Sequence, residues 1–149
     1  MTIAKTAAPA AKALLRQATA LRPKRNKASD GLLPSLAHQK QNPSSDHNTG
    51  FAVDLTHDPV FGISGDDVFF ELQKDKRVKY LIFKGRIWSK EKGNREYTGS
   101  NQHKKHVHVS IKETAGNDTS NWFPWLPEPT QVNKMKAAVL PLPKKKVAK

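Results

Sequence analysis

The sequence predicts an α+β fold, a small antiparallel sheet flanked by helices, and three observations carry that expectation. Val107, Val109 and Ile111 alternate with His106, His108 and Ser110, the period of a strand with one apolar and one polar face. Two β-rich runs, Val78 to Phe83 and Arg86 to Trp88, are separated only by Lys84-Gly85, which predicts a hairpin. Leu14, Leu15, Ala18 and Leu21 recur at helical spacing in an Ala- and Leu-rich stretch from Ile3 to Leu21.

The elements follow in order. The first is a weakly amphipathic helix, read as packed on the domain, with Lys5, Lys12 and Arg16 scattered around it. Ser29-Asp30-Gly31 is a turn signal, and a polar loop runs from about Gln39 to Thr49. Phe51 to Leu55 reads as a short strand. Ser64 with Asp67 three positions on resembles a helix N-cap, and Val68, Phe69 and Leu72 give an apolar face to a helix from about Gly65 to Lys74. The hairpin comes next, then a polar loop from Ser89 to Gln102, then the strand from Lys105 to Ile111. Trp122, Phe123, Trp125 and Leu126 are expected to close over the core. Pro127, Pro129, Pro141 and Pro143 and the final lysines predict a solvated tail.

Charge divides the chain along the same lines. Its 149 residues carry 26 Lys+Arg against 13 Asp+Glu, a formal charge of +13. Residues 1–29 hold seven basic side chains and no acid, and residues 132–149 hold six and no acid. The interval between them is formally neutral. We therefore expect a basic N-terminal helix over 1–24, one body over 25–131 and a basic Pro/Lys-rich tail over 132–149. Such ends suit any polyanion, whether nucleic acid, lipid headgroups or a cell wall. No apolar run approaches the ~20 residues that span a bilayer. Lys12 and Arg16 interrupt the run a secretory signal would need, although the acid-free N-terminus also has the composition of an organelle transit peptide.

With no cysteine, disulfide frameworks and thiolate metal sites are excluded, so any zinc would be held by His and carboxylate. Six histidines are unevenly placed. His103, His106 and His108 lie within six positions, and His47 lies seven before Asp54. His106 and His108 share a strand face, and Asn48-Thr49-Gly50 offers a turn that brings His47 toward Asp54. Two imidazoles and a carboxylate with an open fourth position are a catalytic zinc set. His38 is unassigned, and His57, in Thr-His-Asp-Pro, is expected to cap a turn.

Ser45 to Asp54 fits S-x-H-x-x-G-x-A-x-D, and His103 to His108 fits a closing H-x-x-H-x-H strand. Together these motifs resemble the zinc peptidases of the D-Ala-D-Ala carboxypeptidase and murein endopeptidase group, which share the hedgehog-type fold. The likeness is greatest to phage endolysins, where runs similar to Asp54 to Pro59 and Arg77 to Ile82 recur. It covers roughly Leu21 to Ile111. It implies Zn2+ held by His47, Asp54 and His108. The catalytic Glu of many members would fall at Lys105, so the resemblance follows the branch with His at positions 106 and 103. There His106 acts as general base or steadies the developing oxyanion, with His103 assisting. Ser45 is expected to orient the His47 loop or meet substrate, and Arg25 or Arg86 to bind a substrate carboxylate.

The resemblance thus implies a peptidoglycan peptidase acting as a monomer, made in the cytoplasm and reaching the wall after membrane permeabilisation. Its basic ends would bind the anionic bacterial envelope, with no obligate nucleic acid. The alternative is a basic nucleic-acid-binding protein without catalysis.

Overall fold

A computed structural model of the chain describes residues 6–33, 45–99 and 103–128. The expected tail over 132–149, His38, most of the loop before Ser45 and the first residues of the expected N-terminal helix lie outside the described residues. No helix among the described residues is long and apolar enough to cross a membrane.

Helix α1 spans Pro9–Leu21, opened by proline at a position where its missing N–H costs nothing. No side chain caps it; instead Ala8 N–H donates to Gly50 O at 2.9 Å and Ala10 N–H to Gly116 O at 2.8 Å. Ala10, Ala11, Leu14, Ala18 and Leu21 enter the core while Lys12 and Arg16 face solvent. The helix is thus packed on the body, against β1 (Ala52–Thr56).

Helix α2 spans Gly65–Glu71 and tightens into a 3-10 turn over Leu72–Lys74, so the expected helix is one element of two pitches. Ser64 occupies the N-cap position, but its side chain makes no capping bond. His57, expected to cap a turn, does that work for the helix instead, its Nδ1 accepting Gly65 N–H at 2.7 Å.

Strands β2 (Val78–Phe83) and β3 (Arg86–Ser89) form the expected hairpin, with Lys84 at φ 49° and Gly85 at φ 77°. Both central residues are left-handed, the geometry that matches strand twist in a two-residue turn. The loop expected after Ser89 instead contains β4 (Gly93–Glu96), which pairs with β3. Strand β5 is His106–Ile111. All pairings are antiparallel, in the order β1-β5-β2-β3-β4.

The sheet is two-faced, as the alternation in β5 requires. Val53, Leu55, Leu81, Phe83, Val107, Val109 and Ile111 build the core with both helices. Trp122 and Phe123 close it, the Trp122 indole donating to Ala10 O at 2.9 Å and lying 3.6 Å beneath the Arg77 guanidinium. The opposite face carries His106, His108 and Ser110.

Candidate metal centre

Register builds the centre. Asp54 on β1 stands directly opposite His108 on β5, so the two side chains rise from the same face as a cross-strand pair. His47 reaches them from a 3-10 turn over Asp46–Thr49, which ends at Gly50 with φ 84°. A Cβ at Gly50 would stand 2.9 Å from Thr6 O, so only glycine lets this turn sit against the start of α1 and aim His47 at the sheet.

His47, Asp54 and His108 each offer one donor atom, all within 4.8 Å of one another, and can hold a metal ion. Asp54 Oδ1 lies 3.2 Å from His47 Nε2 and 3.3 Å from His108 Nδ1. The remaining ring nitrogens are both backed by oxygen. His47 Nδ1–H donates to Leu32 O at 2.7 Å, and His108 Nε2 is hydrogen-bonded to Ser110 Oγ at 2.8 Å. An oxygen behind the outer ring nitrogen, with the inner nitrogen turned to the shared space, is the arrangement metal-ligating histidines adopt.

The electrostatics favour an ionised Asp54 beside His47. Burial alone would raise the Asp54 pKa, but hydrogen bonds from His108 and His47, and their charge, hold it well below the usual carboxylate range. Burial pushes His47 down, yet the Asp54 hydrogen bond and charge, the Leu32 carbonyl and Asp46 raise it overall. At His106 burial wins, helped by His108 and His47 and opposed by Asp54, and its pKa is lowered. His106 Nε2 lies 3.5 Å from Asp54 Oδ2, the carboxylate oxygen other than the one the His47 and His108 rings meet. His103 packs edge-on against both His106 and His108, with centroids 5.1 and 5.5 Å apart. Its φ of 56° is unusual for a side-chain-bearing residue, and its carbonyl is held by Lys84 N–H at the hairpin turn. The structure therefore brings together all five residues expected at the centre.

Of the three residues expected to meet substrate, the two arginines are placed otherwise, and Ser45 takes its other expected role of orienting the His47 loop. Arg25 is buried and forks onto Asp30, at 3.1 and 2.6 Å, with its Nε–H on Thr19 Oγ1. Asp30 in turn accepts from Thr56 N–H and Oγ1–H, and the next residue, Gly31, bridges Asp54 in both backbone directions. Arg25 thus pins the strap that delivers Leu32 O to His47, and its guanidinium is not open to substrate. Arg86 is exposed but opposite Phe83, which puts it on the helix-bearing side of the sheet, away from the histidines. Ser45 caps the 3-10 turn, its Oγ accepting His47 N–H at 3.2 Å, and so acts on the His47 backbone.

Sequence reasoning missed Tyr80, whose ring stacks on His108 with centroids 5.5 Å apart and planes 18° from parallel. It also missed Tyr97, edge-on to His103 at 5.8 Å. For Tyr80 a signal existed: an antiparallel partner of the β5 strand brings an aromatic to its polar face at alternate positions, and Tyr80 pairs with Ser110. The chain matches no protein-family model, no curated protein and no solved structure.

Proposed function

We propose that the protein is a zinc-dependent peptidoglycan peptidase of the phage endolysin kind, with a hedgehog/DD-peptidase-type fold, hydrolysing amide bonds of cell-wall stem peptides or cross-links. The observation that carries this reading is the donor set itself. Two imidazoles and a carboxylate converge, each imidazole backed by an oxygen, with no thiolate and, among the described residues, no fourth member of the group. Nitrogen and carboxylate oxygen donors in that number suit zinc with an open position.

A bound zinc ion would supply Lewis acidity, polarising a carbonyl and lowering the pKa of water from about 15.7 toward about 7. The chain's own groups do the rest. Asp54, kept ionised, neutralises part of the metal's charge and orients both ligand rings. His106, with its pKa lowered, is neutral at pH 7, so its Nε2 accepts the proton of the attacking water and passes it to the leaving amine. His103 holds the His106 ring edge-on. Lys105, at the position where many resembling enzymes place Glu, is exposed and precedes β5. Imidazole rather than carboxylate chemistry therefore follows. Binding nucleic acid through the basic ends would leave this cluster without a role. On the peptidase reading the basic ends meet the anionic envelope, and the wall is reached once the membrane is permeabilised.

The test is digestion of purified murein, with mass spectrometry of the fragments and metal analysis of the protein. We expect paired new amino and carboxyl ends, lost with chelator and restored by zinc. Asp54→Ala and His108→Ala should each lose both the metal and the fragments. Fragment release by either variant, or release indifferent to chelator, would sink the proposal.

A further inference from the structure

The histidine face continues beyond the metal centre. Asp54 pairs with His108, His108 with Ile82, Ile82 with Ile87, and Ile87 with Arg95. In antiparallel sheets directly opposed residues share a face, so these five side chains form one row running from the metal ligands to the edge strand β4. Adjacent strands lie about 4.8 Å apart, which places the Arg95 backbone roughly 14 Å from that of His108, with two isoleucines between them as an apolar floor. Tyr80 and Ser89, themselves opposed, lie alongside this row on the same face. Tyr97 closes the other side by packing on His103.

Arg95 is the one arginine in that row, and its hydrogen bonding is incomplete. Its Nε is shielded from solvent and has no partner among the described residues. Its Nη2 reaches Ser89 Oγ only at 3.5 Å, the outer limit of a hydrogen bond. The two Arg–carboxylate forks elsewhere in the molecule, Arg25 on Asp30 and Arg77 on Asp75, are short and closed. Arg95 keeps a planar fork of donors without a carboxylate, half-buried, at the end of a floor that begins at the metal ligands. A guanidinium so placed is built to receive a carboxylate in bidentate fashion.

We propose that Arg95 anchors a carboxylate of the substrate and so selects acidic peptides. An extended peptide advances about 3.3 Å per residue, so the span matches about four residues between backbones, fewer as the two side chains reach toward each other. The carboxylate recognised would lie two to four residues from the bond that is cut. The inference rests on the peptidase reading and adds to it a substrate class, a peptide with a free carboxylate at that distance.

The zinc-loaded full chain, Arg95→Gln and Arg95→Lys would be compared on a muropeptide with free carboxylates and on the same muropeptide with those carboxylates amidated. Loss of a charged hydrogen-bonding partner should raise KM for the acid form roughly 10- to 100-fold in Arg95→Gln and leave kcat nearly unchanged. KM for the amidated form should be the same in all three proteins, and Arg95→Lys should recover part of the loss. Equal effects on both substrates, or none on either, would overturn the proposal. If the wild type cleaves neither substrate the peptidase reading has failed, and the Arg95 assignment is read separately. The 15N–1H resonance of Arg95 Nε would be followed while each muropeptide is titrated into unaltered protein. A saturable shift with the acid form alone supports the anchor, and no shift, or the same shift with both, removes it.

Discussion

Ser110 Oγ is the sole described partner of His108 Nε2 and so decides which nitrogen of that ring faces Asp54. Ser110→Ala should leave the β5 backbone intact and leave the His108 ring without its hydroxyl anchor. We expect metal affinity to fall roughly 10- to 100-fold, measured by competition with a chromogenic chelator. An unchanged affinity would mean that packing against Tyr80 suffices. The candidate cluster was legible because strand parity and a glycine-terminated turn are local properties, visible in His47 to Asp54 and His106 to Ser110, whereas choosing His108 over His106 rested on the resemblance alone. The arginines were not. Sign of charge does not say which face a side chain takes, and Arg86 is turned away by a register set through the Lys84-Gly85 turn. Arg25 was spent on Asp30, five residues later, a pairing that a turn signal at Ser29-Asp30-Gly31 did not disclose.

Among the elements, β4 shows where pattern reading stops. Gly93-Asn94-Arg95-Glu96 has no apolar residue and little strand propensity, yet it pairs along all of β3 because the preceding strand offers an unpaired edge. Contacts made after folding, not composition, define it. The turn that carries His47 is the opposite case, since its glycine was visible and its position is now explained. Gly50→Ala must place a side chain at φ 84° and against Thr6 O, a strain of about 1–3 kcal/mol. The expected outcome is a lower melting temperature together with weaker metal binding, read by calorimetry with and without zinc. A loss of stability with metal affinity intact would show that the turn does not set the His47 position.

At the scale of the molecule, charge and core are now separable. Lys12, Arg16, Lys24 and Lys27 lie exposed, while Arg25 is buried and Arg22 is half-buried on the Leu21 and Pro127 carbonyls, so among the described residues the N-terminal lysines and Arg16 supply the surface charge and two arginines are structural. Removing residues 132–149 should weaken sedimentation with purified cell walls at low salt and leave turnover of a small soluble peptide within about twofold. Loss of that turnover would assign the segment to the catalytic body. The aromatic cluster near the other end of the described chain was legible as packing, but its partner was not, because nothing local links Trp122 to α1. Gln17 joins them by donating to Thr119 O and accepting Trp122 N–H, and Trp122 reaches Ala10. These contacts join positions more than a hundred residues apart, so loop closure comes late and carries a large entropic cost. On a ribosome, α1 would emerge early and wait with its apolar stripe uncovered until the segment around Trp122 is synthesised.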